Sequence, residues 1–191
     1  MRARPALRLA VGGVCLLRVR ALSMLGGRRF ERICVYTGRS LEGPAWSREH
    51  VVPVSVLKGC GARNARGDLH NLFIADRAVN AARRDYTLVE PWGNLRLRLG
   101  DDEWMVDARA RVFAPPQRAR GAVARACLYV RDTYGVDVES RAIDASALWR
   151  WADLPVSDYE RRHHVVAQEQ QGRCNPYVVG ADDQASRGRK A

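Results

Sequence analysis

Apolar positions in the second half of the chain recur at helical spacing. After Pro115-Pro116, Val123, Cys127, Val130 and Tyr134 follow at intervals of four, three and four, which puts them on one face of a helix that Gly135 can stop. A second helix is expected over residues 142–151. A third opens on Ser157-Asp158-Tyr159-Glu160, a capping box in form, and runs to Gln171 with Gly172 as its terminator. The first half has a shorter rhythm. Residues 32–36 are a brief β-prone run closed by Thr37-Gly38, and residues 49–52 and 69–74 are candidate strands around a Gly- and Arg-rich loop, residues 59–67. Asp76 is placed to cap a helix that carries Asn80 and Arg83 and frays near Asp85. Residues 95–99 alternate Leu with Arg, as a half-exposed strand does, and residues 104–106 are the expected partner across the Gly100-Asp101-Asp102 turn. Strand, loop, strand and helix followed by a mostly helical C-terminal half predict a mixed α+β fold.

Composition narrows the partner. A chain of 191 residues suits one domain, and its net charge of +11 favours polyanions, of which nucleic acid is the commonest. Lys58 and Lys190 are the only lysines, so the charge is almost all arginine, whose planar fork can donate two parallel hydrogen bonds to a phosphate. The first acidic residue is Glu31. Before it, Arg2, Arg4 and Arg8 precede an apolar run at residues 9–17, and Ala21-Leu22-Ser23 offers small residues for cleavage, which predicts a targeting segment over residues 1–27. Export to the periplasm or medium is one destination. Arg18 and Arg20 interrupt the run, so an Arg-rich mitochondrial presequence is the alternative. The run is too short for a membrane span. A folded domain is expected over residues 28–179, followed by a polar, basic, disordered tail over residues 180–191. With Cys15 in the leader, Cys34, Cys60, Cys127 and Cys174 are an even set that could form two bridges after export. No pair has C-x-x-C spacing, which argues against structural zinc, and Cys127 reads as a small buried hydrophobe.

Chemistry concentrates between residues 46 and 83. Trp46-Ser47-Arg48-Glu49-His50-Val51-Val52-Pro53, then Asp68-Leu69-His70-Asn71-Leu72, then Val79-Asn80-Ala81-Ala82-Arg83 place an imidazole, a carboxylate and a carboxamide in one short unit. Phosphodiester hydrolysis needs an activated water and cationic charge on the phosphoryl oxygens. Neutral His50 can take the proton from water near neutral pH. Glu49 and Asn80 offer oxygen, the donor a hard divalent cation prefers, and two protein ligands leave room for waters and a phosphate oxygen. Adjacent strand residues face opposite ways, so Glu49 and His50 serve one site only if the strand ends or bulges there; Pro53 makes an early end reasonable.

A lone Glu-His pair is a weak signal. The longer pattern is specific: REHVVP, DLHNL, VNAAR, PPQRARGAVARACLYVRDTYGV and QGRCNPYV occur in that order and resemble the bacterial endonuclease I family of non-specific nucleases, over roughly residues 48–178. The resemblance implies a ββα-metal (His-Me finger) core, with His50 as general base, Glu49 and Asn80 as metal ligands, and one Mg²⁺, with Ca²⁺ or Mn²⁺ as substitutes. It implies cutting of DNA, and often RNA, with little sequence preference and 5′-phosphate ends. The family's phosphate-contacting arginine falls loosely on Arg63, with Arg66 as its rival; Arg66, Arg83, Arg84 and Arg120 are expected to meet nucleic acid. A monomer without membrane attachment is expected. The chain departs from the family in a short inter-motif loop, in cysteines that do not align, and in Arg84-Asp85 where asparagine is expected. Two alternatives stay open: a basic nucleic-acid-binding protein that does not cut, and a sequence-specific HNH-type nuclease.

Several residues carry plainer readings. His70 reads as a hydrogen-bonded core histidine more readily than as a residue that orients the site. His163 and His164 are tandem rather than four apart, which speaks against a metal role. Arg118, Arg120 and Arg125 could track a phosphate backbone, or Arg125 could pair with a carboxylate inside the fold. Trp149 and Trp151 are expected in the core rather than as stacking platforms for bases.

Overall fold

The computed structural model describes residues 29–92, 97–99 and 102–180, with backbone alone at 97–99, 102 and 103. The expected targeting segment, the tail beyond Gly180 and most of the turn at residues 100–101 lie outside the described residues.

The first unit is an antiparallel hairpin covered by a helix. Strand β1 (Trp46–His50) pairs with β2 (Leu72–Asp76) in the register Trp46↔Asp76 to His50↔Leu72. Both strands sit three or so residues earlier or later than their patterns predict, and asparagine chemistry is the reason. Asn71 ends the ladder by accepting Val51 N–H on its carbonyl at 3.1 Å and Val52 N–H on its side-chain oxygen at 2.8 Å, while its own N–H turns back to Asp68 O at 3.1 Å. Residues 51–52 and 69–71 are therefore turn, not strand. Residues 32–36 are likewise not a strand: Ile33 makes one bridge to Ser40, and Val35 N–H reaches Ile74 O at 2.8 Å along the edge of β2. Helix α2 (Arg77–Arg83) starts as predicted, with the Asp76 carboxylate accepting from Ala78 and Val79 N–H. Between the strands, helix α1 (Val54–Gly59) precedes the region read as a loop, and that region, residues 59–67, holds a 3₁₀ turn, Arg63–Gly67.

A second sheet was only half visible in the pattern. Strands β3 (Thr87–Leu88), β4 (Leu97–Leu99), β5 (Asp102–Asp107) and β6 (Val112–Ala114) stack in the order β3-β6-β5-β4, with the β4–β5 pair as expected and β3 parallel to β6. Helix α3 (Gln117–Tyr134) ends at Gly135 in the left-handed conformation, φ 66°, and every residue from Gly121 to Val130 is buried. Helix α4 (Ala145–Ala152) begins later than predicted because Asp144 caps it, while Ala142 and Asp144 bond to Leu88 as an extension of β3. Helix α5 (Asp158–Gln171) has the predicted ends, Ser157 and Gly172.

Inside the helical half, Arg125 resolves to its interior reading. Its Nε and Nη2 bond the two Glu160 oxygens at 2.7 and 2.6 Å, and Nη1 reaches the carbonyls of Ala152 and Leu154 at 2.9 and 2.6 Å. Trp151 is buried, but Trp149 is 50% exposed under the Arg131 guanidinium, contrary to the expectation that both pack in the core. All four described cysteines are free thiols, so the two bridges considered above are not formed; Cys127 is a buried hydrophobe, its thiol pushed up to about 12 chiefly by burial.

Candidate active site at the end of the first strand

Strand alternation and the Asn71 stop set the geometry together. Arg48 is exposed, Glu49 is 2% exposed and His50 is half-buried, so the carboxylate points inward and its two neighbours point away from the core. His50 is the last residue of β1, so the strand ends early, as Pro53 leads one to expect. Its Nε2 lies 3.0 Å from the carbonyl oxygen of Arg66 in the 3₁₀ turn. A carbonyl can only accept, so Nε2 carries the proton and the Nδ1 lone pair is the basic end. Burial lowers the imidazole pKa below its ordinary value, the charges of Arg66 and Arg48 add to that, and the bond to the Arg66 carbonyl opposes it.

The residues around His50 are fixed from both sides. Arg83 is fully buried, forms an ion pair from Nε to Glu49 Oε1 at 3.0 Å, and donates from Nη2 to Val51 O and from Nη1 to Arg84 O, both at 2.7 Å. The expectation that Arg83 meets nucleic acid is thereby corrected: it is an interior clamp. Tyr36, also fully buried, donates to Glu49 Oε1 at 2.8 Å. Burial pushes the Glu49 carboxyl up, and Arg83 and then Tyr36 pull it back. Asn71 completes the clamp by donating from Nδ2 to Val52 O at 3.2 Å.

Asn80 lies one helical turn before Arg83 and faces β1. Its Nδ2 donates to Ser47 Oγ at 3.0 Å and to Arg48 O at 3.1 Å, which uses both amide hydrogens and leaves Oδ1 as its accepting end. The Tyr36 hydrogen bond and the Arg83 Nε ion-pair contact both fall on Glu49 Oε1, leaving Oε2 as its other oxygen. This oxygen-only pair has the donor chemistry of a hard divalent cation. Among the described residues no group of three or more His, Cys, Asp or Glu side chains stands ready to hold a metal, so an ion on Glu49 and Asn80 would keep most of its coordination for water and phosphate.

The remaining candidates divide by exposure. Arg63 and Arg66 are exposed on the 3₁₀ turn that supports His50. Arg84 is exposed at the end of α2 with φ 52°. Arg120 is committed elsewhere, 3.6 Å from Glu90 and stacked over Trp151. His70, His163 and His164 are buried; His70 Nε2 bonds Arg173 O at 2.8 Å and His163 Nε2 bonds Leu69 O at 3.0 Å, in agreement with the plainer reading. Sequence reasoning missed Tyr36, Asn71 and the interior role of Arg83. Only Asn71 had a readable signal, as a turn-forming residue inside the run read as a strand.

Comparison with known proteins follows the same residues. The family model described as Endonuclease I matches residues 27–182. An extracellular deoxyribonuclease of Aeromonas hydrophila is 29% identical over 143 residues, 71% of this chain and 62% of that protein. A periplasmic deoxyribonuclease of the same organism is 28% identical over 143 residues, 71% of this chain and 60% of its own length. Endonuclease-1 of Buchnera aphidicola subsp. Acyrthosiphon pisum is 27% identical over 146 residues, 68% of this chain and 58% of that protein. The chain thus spans about three fifths of the length of the curated relatives it matches.

Proposed function

This chain belongs to the endonuclease I family, and from that premise we propose that it is a divalent-metal-dependent endonuclease hydrolysing phosphodiester bonds of DNA with little sequence preference. The observation that carries the reading is His50, its tautomer set by the Arg66 carbonyl, beside a carboxylate and a carboxamide held in place by Arg83, Tyr36 and β1.

His50 Nδ1 takes a proton from water, and the hydroxide oxygen forms the new bond to phosphorus as the bond to the 3′ oxygen breaks, leaving a 5′-phosphate. The depressed pKa keeps the imidazole neutral, hence basic, at pH 7. Glu49 and Asn80 would hold Mg²⁺, with Ca²⁺ or Mn²⁺ as substitutes; when bound, the ion neutralises charge on the phosphoryl oxygens. Arg83 and Tyr36 orient Glu49, and Asn71 keeps the backbone after His50 from rejoining the ladder. Arg63 is the proposed contact to the phosphate on the leaving side, with Arg66 and Arg84 along the same exposed rim. RNA is a second proposed substrate and the monomer the proposed form. Residues 28–179 are the proposed nuclease domain, and residues 1–27 the proposed export segment. The relatives named extracellular and periplasmic support export over organelle import. No described helix is long and apolar enough to cross a membrane.

The test is incubation of purified protein with supercoiled plasmid, and separately with structured RNA, with and without Mg²⁺. Nicking followed by fragmentation that needs the ion and stops in EDTA is the expected result. Full activity in excess chelator overturns the metal assignment, and one dominant cleavage site overturns the lack of sequence preference.

A further inference from the structure

We propose that Arg48 is a further nucleic-acid-binding residue, gripping the phosphate next to the one attacked; the proposal rests on the reading of this site as a nuclease centre. Arg48 and His50 are two residues apart on β1, so their side chains leave the same strand face with origins roughly 6.6 Å apart. That step is comparable to the one between successive phosphates along a nucleic-acid strand. A phosphate placed at His50 therefore sets its neighbour within reach of the Arg48 fork.

Three observations single Arg48 out in a chain rich in arginine. Its side chain is exposed, and among the described residues it forms no ion pair. Its partner across the hairpin is Ile74; the acid beside it on β1, Glu49, turns inward to Arg83, and the acid of the opposing strand, Asp76, pairs with Trp46 and is occupied with the α2 cap. Arg83, Arg111, Arg120 and Arg125 all have carboxylate partners instead. Finally, its main chain is doubly fixed, by the ladder to β2 and by the bond from Asn80 Nδ2 to its carbonyl. The guanidinium swings from a rigid base tied to the helix that carries a proposed metal ligand, so less freedom is lost on binding.

Duplex binding in EDTA, where cutting is off, is measured against salt for wild type, Arg48→Ala and Arg48→Lys. Arg109→Ala, an exposed arginine in the turn after β5, is the control. Melting temperatures and cleavage kinetics are read on the same proteins. Arg48→Ala should melt with wild type, and its slope of log affinity against log salt should be shallower by about 0.9, one phosphate contact. Its KM should rise about tenfold with kcat within about threefold, as loss of uniform binding predicts. Arg48→Lys should keep the slope and recover part of the affinity, and Arg109→Ala should match wild type. An unchanged slope and KM in Arg48→Ala overturns the proposal. So does an equal loss in Arg109→Ala, or a collapse of kcat at constant KM. A wild type that binds but never cuts refutes the nuclease reading instead, while the salt slope still decides the phosphate contact.

Discussion

At the scale of single residues, the site depends on which nitrogen of His50 is free. With Nε2 held by the Arg66 carbonyl, only Nδ1 is open as the proposed base, and substitution removes it without touching Glu49 or Asn80. His50→Ala should lower kcat by about 10²- to 10⁴-fold with duplex affinity nearly unchanged; wild-type cutting by that variant would rule out the mechanism. The pH profile follows from the same group. Its pKa is lowered by burial and by Arg66 and Arg48, so the acid limb of kcat/KM should fall at a pH below about 6.5, the ordinary histidine value. A limb centred above that value contradicts the environment described. His50, Glu49 and Asn80 were legible as candidates because their chemistry is written in residue type. Arg83 was not, because an arginine in a basic chain reads as surface, and only the fold reveals that Glu49 and Tyr36 have gathered around it.

At the scale of elements, local signals carried helices α2 to α5 and the β4–β5 pair and missed α1 and the parallel β3–β6 pair. Asp76, Ser157, Gly135 and Gly172 act on backbone groups within a turn of themselves, and each helix end they imply is present. The parallel β3–β6 pair is set by packing between distant segments, and two residues per strand leave no periodicity to read. The same distinction explains α1, whose Val54-Ser55-Val56-Leu57 run favours a strand until Pro53 and the Asn71 stop end the ladder. Glycine inside α3 has a comparable long-range cause. A Cβ on Gly121 would stand 2.5 Å from Arg125 Nη2, and that guanidinium is pinned by Glu160 and two carbonyls. Gly121→Ala should therefore destabilise by about 1–3 kcal/mol despite the better helix propensity of alanine. Urea denaturation measures it, and a stabilised variant would mean that Arg125 can yield.

At the scale of the molecule, helix α5 is joined to the β1–β2 hairpin through buried imidazoles. His163 stacks on Phe73 of β2 at 4.1 Å and bonds the Leu69 carbonyl, and His164 stacks on His70 at 5.2 Å, so the helical half is locked to the site through rings that are apolar only while neutral. Burial pushes His163 down to about 4, with the bond to Leu69 opposing and His70 and His164 adding to the depression; burial lowers His70 as well. The unfolded chain binds the His163 proton at about pH 6.5, whereas the fold resists it down to about 4. Stability is therefore complete above about 6.5 and falls as pH drops from there towards about 4, His163 alone accounting for about 3 kcal/mol over that window. Denaturation at fixed ionic strength from pH 7.5 to 4.5 should show this decline, and His163→Gln, which cannot titrate, should flatten it while lowering stability at pH 7.5. A wild-type stability constant across that range would mean that the folded rings take up protons at the same pH as the unfolded chain, and that the lock between the two halves does not depend on neutral histidine.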